Sequence, residues 1–167
     1  MAGRRANTRR MQYIRRPIIG VIGSAQCDEK IYEVAREVGR EIARQGCILV
    51  CGGLTGVMEA ASCGAKEAGG VTIGILPGDN KDAANPYIDI HIVTNMGFAR
   101  NAIIALTADV LIAVSGGYGT ISEVAFGLKL GKAVFALHSD INVRGLVKCD
   151  TPADAIIRAL KTLNKIP

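Results

Sequence analysis

The sequence predicts an α/β fold: a single doubly wound parallel sheet with helices on both faces. Two observations carry this. From Pro17 onward, short apolar runs alternate with stretches of helical spacing. Each short run is continuously apolar rather than alternating, as in strands covered on both sides. The bulk composition agrees. With 49% hydrophobic and 21% charged side chains, the 167 residues suffice to bury one core and are not composed like a disordered chain. Such an arrangement is Rossmann-like.

The elements follow in order. PIIGVIG (17–23) reads as a buried strand. KIYEVAREVGREIARQG (30–46) reads as a helix, with Ile31, Val34, Ala35, Val38 and Ile42 on one face and Gly46 closing it. CILVCGG (47–53) is a second strand, GVMEAASCGAKEAGG (56–70) a second helix, and VTIGILPG (71–78) a third strand. The polar loop DNKDAANP (79–86) leads into the strand YIDIHIV (87–93). A helix over 97–108, the strand VLIAV (110–114), a helix over 120–130 and the strand AVFAL (133–137) come next. LVKC (146–149) reads as a short strand. TPADAIIRALKTL (151–163) then begins a helix in the preferred way, with Thr151 as N-cap and Pro152 at the first helical position.

The formal charge of +5 is not a property of this body. Residues 1–16 hold six arginines and no acid, which leaves 14 basic against 15 acidic side chains in the remainder. The chain therefore divides into a basic, disordered tail (1–16) and one domain (17–167). Nucleic acid is expected as a partner only through that tail. No apolar run reaches the roughly 18 residues of a membrane span, and no secretory h-region follows the basic start, so no membrane partner is expected. Five cysteines, an odd number without a CxxC pair, suggest neither a disulfide framework nor a zinc site. A cytoplasmic setting is expected. His91 and His138 have no partners at metal-ligand spacing, so no metal site is argued.

In an open α/β sheet, ligands sit beyond the carboxyl ends of the strands, where the strand order reverses. Four loops lie at such ends: GSAQ (23–26), GGLTG (52–56), TNMGFAR (94–100) and SGGYGT (115–120). Glycine lets backbone approach a ligand closely, and successive N–H groups at a helix start favour an anion. The candidates for holding a phosphate are Gly23, Ser24, Gly52, Gly53, Thr55, Gly56, Asn101, Ser115, Gly116, Gly117, Tyr118, Gly119 and Thr120. The phosphate-loop pattern GxxxxGK[ST] is absent. So is GxGxxG, because Ser122 stands where its third glycine belongs. A lysine able to form a Schiff base is equally unsupported.

Two charged residues carry a double meaning. Thr120 and Glu123 fit S/T-x-x-E, a capping box in which Glu123 returns to the cap N–H. Alternatively, Glu123 is a carboxylate beside a bound phosphate, able to polarise water or stabilise an oxocarbenium-like centre. Arg100 is either a solvated helix charge or a group that pairs with phosphate or orients Glu123.

At these residues the chain resembles a known family. GG with GVM in the second turn, ARN in the third helix and GGYGTISE in the fourth turn resemble the LOG-like Rossmann proteins. These include the lonely-guy cytokinin phosphoribohydrolases, proteins often labelled lysine decarboxylases, and the molybdenum cofactor carrier proteins. The enzymes' motif PGGxGTxxE is matched at Gly116, Gly117, Gly119, Thr120 and Glu123, with Ser115 in place of the proline. The family's arginine falls on Arg100, with Gly97 and Asn101 replacing a histidine and a lysine of the motif MHxRK. The resemblance covers residues 17–163.

What the resemblance implies divides in two. In the enzymes the arginine and glutamate cleave the N-glycosidic bond of a nucleoside 5′-monophosphate, which would make Arg100 and Glu123 catalytic. In the carriers the same cleft holds a phosphorylated pterin without chemistry. PIIGVIG, GAKEAGGVTIGILPG and GLVKCDTPADAIIRALKTL resemble the carrier branch, and the Trp-containing segment of the plant enzymes is missing. The expected function is therefore binding of a nucleotide or another phosphorylated ligand, a nucleoside monophosphate or a molybdopterin-type compound. The alternative is a phosphoribohydrolase; a lysine decarboxylase is not expected. The resemblance also implies a homo-oligomer, dimer or tetramer. VMEAASCGAKEA and EVAFGLKLG suit packing against a partner, or equally against the sheet.

Overall fold

A computed structural model describes residues 15–163. Seven strands form one parallel sheet: β1 (Ile18–Gly23), β2 (Ile48–Cys51), β3 (Val71–Leu76), β4 (Ile90–Val93), β5 (Val110–Val114), β6 (Val134–Leu137) and β7 (Leu146–Lys148). Their order is β4-β3-β2-β1-β5-β6-β7, so the winding reverses between β1 and β5. Five helices cover the sheet: α1 (Glu29–Arg44), α2 (Val57–Glu67), α3 (Asn101–Thr107), α4 (Tyr118–Lys129) and α5 (Pro152–Leu163).

Alternate residues of the central strands β1, β2, β5 and β6 feed two cores. Val110, Ile112 and Val114 pack with α1, α2 and α5, while Leu111 and Ala113 pack with α3 and α4. All five residues of β5 are buried, which is why its sequence has no polar alternation. Helix α1 starts on Asp28, whose carboxylate accepts from Ile31 N at 2.8 Å. It ends as expected on Gly46, at φ +71°, with Cys47 N donating to Ile42 O and Gly46 N to Ala43 O. Thr151 caps α5 through Asp154 N.

The expected bounds change at two helices. The helix expected over 97–108 is a 3-10 turn at Gly97–Arg100 followed by α3. The helix expected from Thr120 starts two residues earlier, at Tyr118. Helix α2 covers the sheet and α1, with Val57, Met58 and every residue from Ala60 to Ala65 buried. By contrast, α4 leaves Ile121 and Phe126 exposed, and its C-cap Leu130 is exposed as well. The basic tail lies outside the described residues, apart from Arg15 and Arg16. Arg15 meets Asp109 at 2.7 Å, and Arg16 donates to the Gly46 carbonyl. No helix among the described residues is long and apolar enough to cross a membrane.

Candidate functional site

The reversal of winding leaves the carboxyl ends of β1 and β5 side by side. A cleft of about 270 Å³ opens there. Its lining comes from the end of β1 and the turn after it (Ile22, Gly23, Ser24, Ala25), from Leu54 and Met58, from Phe98, Arg100 and Asn101, and from the N-cap and first turns of α4 (Gly117, Tyr118, Gly119, Thr120, Glu123).

The start of α4 differs from those of α1 and α5. Its N-cap is Gly117, and no side chain accepts from its first N–H groups. Ser115 and Gly116 turn the chain into the helix with φ of +52° and +117°. Thr120 fills the space where a Gly116 side chain would stand, so this glycine is needed by the fold. Gly117 and Gly119 are not explained that way. A methyl group at either would meet nothing within 4 Å, and neither has positive φ. Both border the cleft. The fold thus presents unpaired N–H groups at a positive helix end, with the space above them left clear.

The helix register also removes one of the two meanings of Glu123. Thr120 is the third helical residue and Glu123 the sixth, one turn beyond the capping position. The capping box is therefore not formed. Glu123 instead lies in the cleft, 6% exposed, with an oxygen 3.8 Å from Nη1 of Arg100. Arg100 is 7% exposed rather than solvated. Its Nη1 donates to Asn101 Oδ1 at 2.8 Å and its Nη2 to the Gly52 carbonyl at 3.3 Å. Asn101 Nδ2 donates to Ser122 Oγ at 3.0 Å, and that hydroxyl to the Gly119 carbonyl at 2.6 Å. A chain of hydrogen bonds thus ties the guanidinium to the glycine turn. Arg100 Nε is the one buried side-chain polar atom among the described residues without a partner.

Burial acts on both charges. It pushes the Glu123 carboxyl up to about 8, against the opposing pull of the Arg100 charge. It lowers Arg100 from the usual arginine range, while Glu123 and Cys51 act the other way. Below about pH 8 the pair leans toward a neutral acid beside a cation, a field that favours an anionic guest. A stability signature follows. Between the ordinary carboxyl range and pH 8, the folded protein holds a proton that the unfolded chain has released, so stability falls as pH rises through that window. Urea titrations at pH 5.5 and 7.5 should show the parent losing about 2 kcal/mol that Glu123→Gln keeps. Parallel behaviour of the two proteins would mean that Glu123 is ionised throughout.

The remaining sequence candidates have different surroundings. Gly52 leaves room for Arg100, whose Nη2 would lie 2.6 Å from an added side chain. Gly53, at φ +75°, packs on Gly74 and Leu76 of β3. Thr55 donates to the Ala25 carbonyl at 2.8 Å, and Gly56 lies against the Ser24 and Ala25 backbone. Thr55 and Gly56 therefore hold the second turn against the first, Gly53 holds it against β3, and none of the three lines the cleft. Ile22, Ala25, Leu54, Met58 and Phe98 line it without having been singled out. Only Phe98 left a trace in the sequence, as an aromatic residue in a turn where no core periodicity calls for one. His91 lies on the edge strand β4, and His138 just after β6.

The chain matches the SLOG cluster4 family over residues 16–163 and belongs to that LOG-like Rossmann family. Its fold superposes on a molybdenum cofactor binding protein from Rippkaea orientalis with a TM-score of 0.84 and 40% identity, covering 91% of this chain and 99% of that one. The molybdenum cofactor carrier protein of Chlamydomonas reinhardtii gives 0.84 and 41%, covering 90% and 100%. A cytokinin riboside 5′-monophosphate phosphoribohydrolase of Mycobacterium tuberculosis is 35% identical over 98 residues, which is 57% of this chain and 52% of the enzyme. The chain thus spans about half the length of that relative.

Proposed function

We propose that this protein binds a phosphorylated small molecule of the molybdopterin type in the cleft, as cargo rather than as reactant. The observation that carries the reading is the start of α4: uncapped N–H groups beneath two glycines that the fold itself does not require. The backbone N–H groups of Gly117, Tyr118 and Gly119, rather than any side chain, would hold the phosphate, and Arg100, with its unmet Nε donor, would supply the charge. The similarity to cofactor carriers extends over nearly the whole chain, and that to the phosphoribohydrolase over little more than half. Ser115 also favours the carrier reading. Its φ of +52° is closed to proline, so this turn has a shape that the enzymes' PGG motif cannot take. Five free cysteines suit a reducing, cytoplasmic setting. The exposed Ile121 and Phe126 of α4, with Leu130 at its C-cap, suit contact with a second copy of the chain.

The buried Arg100–Glu123 pair favours one alternative, phosphoribohydrolysis. A carboxyl held protonated to about pH 8 could give its proton to the departing base as the N-glycosidic bond breaks. Water would then add to the sugar carbon and return a proton to the Glu123 carboxylate, yielding ribose 5-phosphate. Chromatography of a panel of nucleoside 5′-monophosphates after incubation separates the two. The carrier reading expects no base release from the parent or from Glu123→Gln, and a phosphorylated pterin freed when protein from a cofactor-making host is denatured. Base release by the parent that Glu123→Gln abolishes would establish the hydrolase instead.

A further inference from the structure

We propose that Phe98 and Tyr118 form a stacking platform for a planar heteroaromatic ring carried by the cleft's ligand, a proposal that rests on the phosphate reading above. Both residues line the cleft that holds Arg100 and Glu123. Each is 93% exposed, while no other large hydrophobic side chain among the described residues exceeds 60%. Aromatic rings normally bury most of their area, and neither of these belongs to either core cluster. The chain is poor in aromatics, with three Phe, four Tyr and no Trp. Two of those seven therefore stand at the rim of one cleft with no packing role to explain them.

Their backbones are firmly held, so the exposure is not that of a loose loop. The turn bearing Phe98 is tied to the end of β3, with Asn95 N donating to Gly78 O at 3.0 Å and Gly97 N to Pro77 O at 2.9 Å. Tyr118 is the first residue of α4. The first residue of α3 and the second turn of α4 are joined by the Asn101–Ser122 hydrogen bond. The two rings are thus carried on one frame, beside the proposed phosphate position. Stacking accepts any planar ring, so it would strengthen the binding of a purine or a pterin and add nothing for a bare sugar phosphate.

Calorimetric titration tests this with guanosine 5′-monophosphate, a phosphorylated pterin, the same pterin without phosphate, and ribose 5-phosphate. The proteins are the parent, Phe98→Ala, Tyr118→Ala and Phe98→Trp. At least one ring-bearing phosphate should bind the parent roughly tenfold or more tighter than ribose 5-phosphate. Each alanine variant should lose at least about tenfold of that ring-bearing affinity, with ribose 5-phosphate unchanged and Phe98→Trp like the parent. Equal losses for all probes, no loss for any, or no ring-bearing probe bound by the parent would overturn the proposal. A change in solution mass by light scattering with affinity unchanged would also overturn it, by making the rings subunit contacts. If the pterin binds with or without its phosphate and ribose 5-phosphate does not bind, the phosphate reading fails, and loss of pterin affinity in the alanine variants still supports the platform.

Discussion

Gly64→Ala is expected to destabilise the protein by about 3 kcal/mol, near the upper end of what overpacking does. Helices α1 and α2 cross with backbone against backbone. A side chain at Gly64 would fall inside van der Waals contact with the carbonyl oxygen of Arg36, and one at Gly39 would meet the carbonyl oxygen of Ala61. Neither neighbour is a flexible tip that can swing away, so the helices would have to separate. That motion would loosen the packing of Val38 and Ile42 against Ala61 and Ala65. It would also strain the clamp of Arg36 and Arg40 on Glu67. Alanine's better helix propensity returns only about 1 kcal/mol. Urea unfolding measures the loss, with Gly78→Ala as control, since nothing lies within 4 Å of that position and its φ is not positive. The control should stay within about 0.5 kcal/mol of the parent. A Gly64→Ala protein equally close to the parent would mean that the helices are not in this contact.

The fold was legible because its signals are local and repeated. Runs such as VLIAV announce a strand buried on both faces, and that is how β5 lies. Boundaries were less legible where the signal was ambiguous. TISE reads as a capping box, yet the chain enters the helix at Tyr118, because Ser115 and Gly116 make the turn early. The glycines of the second and fourth turns look alike in sequence. Only spatial neighbours separate Gly53 and Gly56, which make room for other backbone, from Gly117 and Gly119, which make room for nothing in the protein. Arg100 was equally unreadable. A helix-start arginine is usually solvated, and its burial depends on Gly52, nearly fifty residues away, leaving space for it.

The second large effect concerns Gly119, the second residue of α4. A methyl group there meets no protein atom within 4 Å, and alanine is the better helix former, so Gly119→Ala should raise stability by about 0.5 to 1 kcal/mol. The same methyl would project beside the N–H groups proposed to receive the phosphate. Glycine at this place is a disadvantage to the fold, and the proposed phosphate cradle would account for it by the ligand's approach to the backbone.

The most direct test measures thermal stability and affinity for ribose 5-phosphate together, on the parent and on Gly119→Ala. The reading of the α4 start as a phosphate cradle predicts a melting temperature about 2 °C higher and an affinity at least about tenfold lower in the variant. A stabilised variant that binds ribose 5-phosphate as tightly as the parent would contradict it.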